Sequence, residues 1–145
     1  MRAKNFFTEI QQQHIVNAIS SAELNTSGEI RLHIVDSCKN DPKDEAILIF
    51  EKLGMTKTEL RNGVLIYLAV ADKKFAIIGD KGINEVVEAD FWDSIRDEII
   101  FHFKKNDFET GLINGIAHVG EKLKKHFPYA KNDENELSND ISFEA

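Results

Sequence analysis

The chain has 145 residues, 42% hydrophobic and 30% charged, with a formal net charge of −7. That length supports one domain with a real core; no apolar run nears the roughly eighteen residues of a membrane span, and the acidic balance without a basic patch argues against a nucleic-acid partner. The lone Cys38 excludes an internal disulfide, and Met1 to Phe7 lack the apolar core of a signal peptide, so a cytoplasmic protein is expected.

In chain order, residues 5–24 read as one amphipathic helix, with Ile15, Ala18, Ile19 and Ala22 on its inner face and Thr8 or Asn5 as its cap. Asn25-Thr26-Ser27-Gly28 stops it. Glu29 to Val35 alternates Ile30, Leu32 and Ile34 with Glu29, Arg31 and His33, which predicts a half-buried strand. Pro42 opens a helix that buries Ala46, Ile49, Phe50 and Leu53 and ends at Gly54. Gly63 to Ala69 is apolar almost without interruption, as in a strand covered on both faces. Strand–helix–strand implies a right-handed crossover and a parallel pair. Asp72-Lys73-Lys74 is short enough for a hairpin, so the strand at 74–79 runs antiparallel to its predecessor. A helical turn is possible at 83–88. A helix from about Asp90 points Trp92, Ile95, Ile99 and Phe103 inward. The last helix, about 108–126, carries Gly111 and Gly115 on its apolar face. Glycine there costs about 1 kcal/mol each against alanine, so a close neighbour is expected to compensate.

This places an α/β domain over residues 1–130. Residues 131–145 form an acidic tail with five carboxylates against Lys131, a charge of −4 that leaves −3 on the body. Leu137, Ile141 and Phe143 suit a tail that touches the body, although full disorder fits its polarity as well.

Strand direction sorts the polar residues. The starts of both parallel strands and the end of the antiparallel one share a sheet edge, which gathers Thr26 to Glu29, Thr56, Thr58, Arg61 and Asn62, and Asp80 to Gly82. Glu29 and Asp80 are hard oxygen donors of the kind that hold Ca²⁺ or Mg²⁺, and Glu85, Glu88, Asp90 and Asp93 follow closely enough to add ligands. Arg61 also suits a plain ion pair with Glu29 or Asp80. No Walker, Rossmann or nucleophile-elbow pattern occurs, and the five histidines are scattered.

Thr26-Ser27-Gly28-Glu29-Ile30-Arg31, Arg61-Asn62-Gly63-Val64-Leu65-Ile66, Ile77-Ile78-Gly79-Asp80-Lys81-Gly82-Ile83, Trp92, Phe108-Glu109-Thr110-Gly111-Leu112 and His126-Phe127-Pro128 resemble the TPM domain family in its small, stand-alone bacterial form. The resemblance implies a Rossmann-like three-layer α/β/α fold. It also implies binding of a divalent cation, calcium in particular, and the acid-phosphatase activity of plant members. The family's acidic positions carry over as Glu29 and Asp80, with Arg61 beside them. Two functions therefore stand as expectations. One is a calcium-binding module, with Glu29, Asp80, Glu88 and Asp90 as ligands, that supports a protein partner. The other is a metal-assisted phosphatase in which Asp80 is a ligand or general base and Arg61 holds phosphate charge.

Overall fold

The computed structural model describes residues 2–129 and 137–144. A four-stranded mixed sheet divides the protein into three layers. Strand β1 (Glu29–Val35) pairs in parallel with β2 (Gly63–Ala69), and Glu29 lies opposite Gly63. Strand β3 (Lys74–Gly79) returns antiparallel to β2 and forms one edge. A short strand β4 (Ser142–Glu144) pairs in parallel with β1 and forms the other.

The alternation of side chains along each strand divides the core in two. Ile30, Leu32 and Ile34 of β1, with Val64, Ile66 and Leu68 of β2, face a layer of helices α2 (Glu9–Ala22), α5 (Asp93–Phe103) and α6 (Phe108–Lys124). Leu65, Tyr67 and Ala69 face α3 (Pro42–Lys52) on the opposite side. Each fully buried aliphatic side chain contributes roughly 1.5–3 kcal/mol.

Local signals explain most boundaries. Asp41 caps α3 through a bond from the Lys43 N–H, Pro42 occupies its first turn, and Gly54 leaves it with φ +70°. The expected close approach on α6 is present: a Cβ at Gly115 would lie 2.7 Å from Ile99 of α5.

The single helix expected over 5–24 is divided. Helix α1 (Ala3–Phe6) ends at Phe7, whose extended backbone leads into a capping box in which Thr8 and Gln11 satisfy each other's N–H groups. Strand β1 is covered on both faces rather than half-buried, because the returning tail covers Glu29 and His33. The loop after Asp80 is already helical as α4 (Lys81–Asn84), and α5 starts at Asp93. In the tail, Leu137 packs on the α3 side of the sheet while Ile141 and Phe143 pack on the other. Asp133, Glu134 and Glu136 lie outside the described residues.

Candidate functional site

The predicted sheet edge is assembled from two interlaced turns. The turn before β2 puts Arg61 at φ +50°, and its N–H donates to the Thr58 carbonyl. The Thr58 hydroxyl accepts from the Asn62 N–H, and the Asn62 carbonyl accepts from the Glu29 N–H, which joins the turn to β1. On the other side, the Asp80 N–H donates to the Gly63 carbonyl at 2.9 Å, and the Gly82 N–H donates to the Arg61 carbonyl at 2.8 Å. Gly82 is required by this approach: a Cβ there would sit 2.1 Å from the Leu60 carbonyl oxygen and 2.7 Å from that of Arg61.

This lacing sets Arg61 beside Asp80. Nε donates to Oδ2 at 2.7 Å and a terminal guanidinium nitrogen donates to Oδ1 at 2.8 Å, a bidentate pair. Oδ1 also accepts from the Lys81 N–H at 2.7 Å, so the same carboxylate caps α4. The bonds to Asp80 push the Arg61 pKa further up. The two partners differ in exposure: the Asp80 side chain is 6% exposed and that of Arg61 is 42%. They line a cleft of about 460 Å³, together with Lys43, Ile47 and Glu51 of α3 and Trp92 and Arg96 near the start of α5. Trp92 is both core and wall: it is 8% exposed, and its ring lies so close to Gly79 that a Cβ there would be 2.6 Å away.

Glu29 lies apart from this group in the sheet order β3-β2-β1. It sits two strands from Asp80, about 10 Å at the spacing of strands in a sheet. It is buried on the side of the returning tail, where its Oε1 accepts from the Leu137 N–H at 2.6 Å. Of the two alternatives for Arg61, the partner is Asp80. Glu88 and Asp90 are exposed in the connection between α4 and α5. Among the described residues, no three His, Cys, Asp or Glu side chains gather as a group that could hold a metal ion. As they stand, then, the four expected ligands are not a preformed cation cage. The oxygens of Asp80 are occupied by Arg61 and Lys81. The histidines are as scattered in space as in sequence: His14 meets Glu109, His33 meets Ser142, and His118 meets Glu98.

Lys43 and Arg96 escape the sequence reading because they reach the cleft only through packing. Both sit on solvent-facing helix positions that read as ordinary surface. A further carboxylate, Glu23, also escapes it. One oxygen accepts from the Ile30 N–H at 2.9 Å, and burial, reinforced by the nearby charge of Glu29, pushes its pKa up to about 7. Its place at a helix end gives no hint of this.

The TPM domain profile matches residues 1–122. Among solved structures, BA42 protein from the psychrophilic bacterium Bizionia argentinensis is 50% identical over 96% of both chains, with a TM-score of 0.91. The N-terminal domain of cg2496 from Corynebacterium glutamicum is 13% identical, with 97% of this chain and 82% of that one covered and a TM-score of 0.65. The N-terminal domain of a protein from P. gingivalis is 15% identical, with coverages of 87% and 83% and a TM-score of 0.69. The last two likenesses are of fold alone. No match is found among curated proteins.

Proposed function

The chain belongs to the TPM domain family, and from that premise we propose that it is a binding module that takes a divalent cation, calcium before magnesium, at Asp80 and thereby supports a protein partner. The observation that carries this reading is the asymmetry of the Arg61–Asp80 pair. A nearly buried carboxylate opens on a cleft, and its balancing charge is an arginine with one side in water. Removing the guanidinium alone would leave a nearly buried carboxylate without its counter-charge, which is unfavourable. A cation arriving as Arg61 swings out avoids that cost. Calcium takes six to eight oxygens, so water and carbonyl groups must supply most of the shell. Among the described residues, Glu29, Glu88 and Asp90 are not gathered into a group that could hold a metal ion together.

The test is thermal. A ligand that binds the folded state stabilises it by RT ln(1 + [L]/Kd), about 2.7 kcal/mol at a hundredfold excess over Kd. Calcium is expected to raise Tm, and Asp80→Asn to remove most of that rise. Deleting residues 131–145 should leave most of it, measured against that variant's own baseline. A rise reproduced by sodium chloride at equal ionic strength, or one lost with the tail and kept in Asp80→Asn, refutes the site.

A second reading has its own observation. Lys43, Arg61 and Arg96 all line the cleft, which suits a phosphomonoester. In that reading Arg61 binds phosphate oxygens, and Asp80 is a metal ligand or general base. Turnover of a generic phosphomonoester, falling by orders of magnitude in Asp80→Asn, would favour it over the binding module.

A further inference from the structure

The two edges of the sheet are finished differently. At the β1 edge the chain supplies its own fourth strand, in which Phe143 packs on the core and Glu144 pairs with Lys52 of α3. At the β3 edge, no strand among the described residues pairs with Lys74–Gly79 on its outer side.

The register shows what that edge offers. The Asp80 N–H donates to the Gly63 carbonyl. In an antiparallel ladder bonded pairs alternate, so Ile78 and Ala76 also turn their peptide groups toward β2. Phe75, Ile77 and Gly79 therefore direct theirs outward. The Gly79 carbonyl fits this assignment, since it accepts from the Asn84 side chain at 2.9 Å. After its exposed first residue, Lys74, the strand runs Phe75-Ala76-Ile77-Ile78-Gly79 with no charge or proline, the usual protections of an open edge. Its far half, Ile77 to Asp80, lines the cleft, with α3 side chains on one flank and Trp92 and Arg96 on the other.

We propose that the β3 edge is a docking site for an extended, acidic-apolar peptide segment of a partner protein, added to the sheet as a fifth strand. Main-chain bonds to Ile77 and the Gly79 N–H hold it, and side chains alternate between the two flanks. The chemistry of the occupant follows from charge. In a protein of net charge −7, the cleft carries Lys43, Arg61 and Arg96 against Glu51 and Asp80. Arg61 is taken by Asp80, whereas Arg96 meets Asp93 only in an exposed pair worth little, so Lys43 and Arg96 are the cations an acidic strand would use. The tail strand offers the same pattern at the opposite edge, an aromatic residue followed by a glutamate that reaches a lysine of α3.

The proposal stands apart from cation binding, so it is tested on the full chain in EDTA. The probes are two capped hexapeptides, Val-Glu-Val-Phe-Glu-Val and its counterpart with lysine for glutamate, followed by amide NMR. The expected result is perturbation of Ile77 and Gly79, slowed exchange of the Ile77 amide, and binding of the glutamate peptide at least tenfold tighter than the lysine one. Ile77→Pro removes an outward donor and is expected to abolish binding; it also removes a buried side chain, so its thermal unfolding is read alongside and binding is compared at a temperature where it is folded. Lys43→Glu with Arg96→Glu, both exposed, should reverse the charge preference without touching the edge itself. No perturbation by either peptide, perturbation confined to β1 and β4, or concentration-dependent pairing of β3 between two copies would each overturn the proposal.

Discussion

At the level of single residues, Asp80 shows how one carboxylate can serve fold and site together. It accepts two bonds from Arg61 and one from the Lys81 N–H, so it caps α4 while facing the cleft. Its position beside Arg61 was legible in the sequence, because the directions of three strands bring both to one edge. Its ion pair with Arg61 was one of two alternatives in the sequence; the choice between Asp80 and Glu29 was not legible, since it depends on the positive φ of Arg61 and the approach at Gly82. That approach makes Gly82→Ala a sharp prediction. The added methyl meets backbone oxygens, which cannot step aside, so unfolding in denaturant should show a loss of roughly 3 kcal/mol or more. Glu23 gives a second. Burial raises its pKa from 4.5 to about 7, so the folded state binds its proton more tightly than the unfolded state. Its contribution is fully present below about pH 4.5 and is lost as pH rises toward 7. Glu23→Gln should remove this slope and stabilise the protein above pH 7 by on the order of 2 kcal/mol, after allowance for solvent screening. Denaturant titrations of both proteins between pH 4 and 8 check it.

Among the elements, the strands and α3 were readable because their signals are local: the apolar run of β2, the short break before β3, Pro42 and Gly54. Two features were not. Thr8 was one of the two caps the sequence offered and it does cap α2, but nothing there marked Ala3–Phe6 as a separate helix before it. Strand β4 is too short and too polar for periodicity to reveal, and it forms because β1 leaves an edge that Leu137, Ile141 and Phe143 can reach. Deleting residues 137–145 should therefore lower stability by about 2–4 kcal/mol, from three half-buried apolar side chains and a strand's worth of bonds. Calorimetry should show a lower Tm with the helical signal intact. The α5–α6 contact supplies a control of another kind. Gly115→Ala places a methyl 2.7 Å from the Ile99 side chain, which can yield, so a cost of about 1–2 kcal/mol is expected rather than collapse.

Across the whole molecule, helices on both faces bury the sheet. The edge chosen from the sequence is not the one that the carboxyl-end rule for parallel sheets favours. The residues meet there because β3 runs antiparallel, which brings Asp80 to the starts of β1 and β2. No helix of the described residues is long and apolar enough to cross a membrane. The net charge of −7 draws cations to the surface only through a screened field, so a specific site must show itself at particular atoms. Titrating the ¹⁵N-labelled full chain with calcium at constant ionic strength, and following the amides of Arg61 and Gly79 to Gly82, asks that question directly. The account predicts saturable shifts at those residues that vanish in Asp80→Asn. Shifts confined to the acidic residues after 130, or none at millimolar calcium, would contradict it.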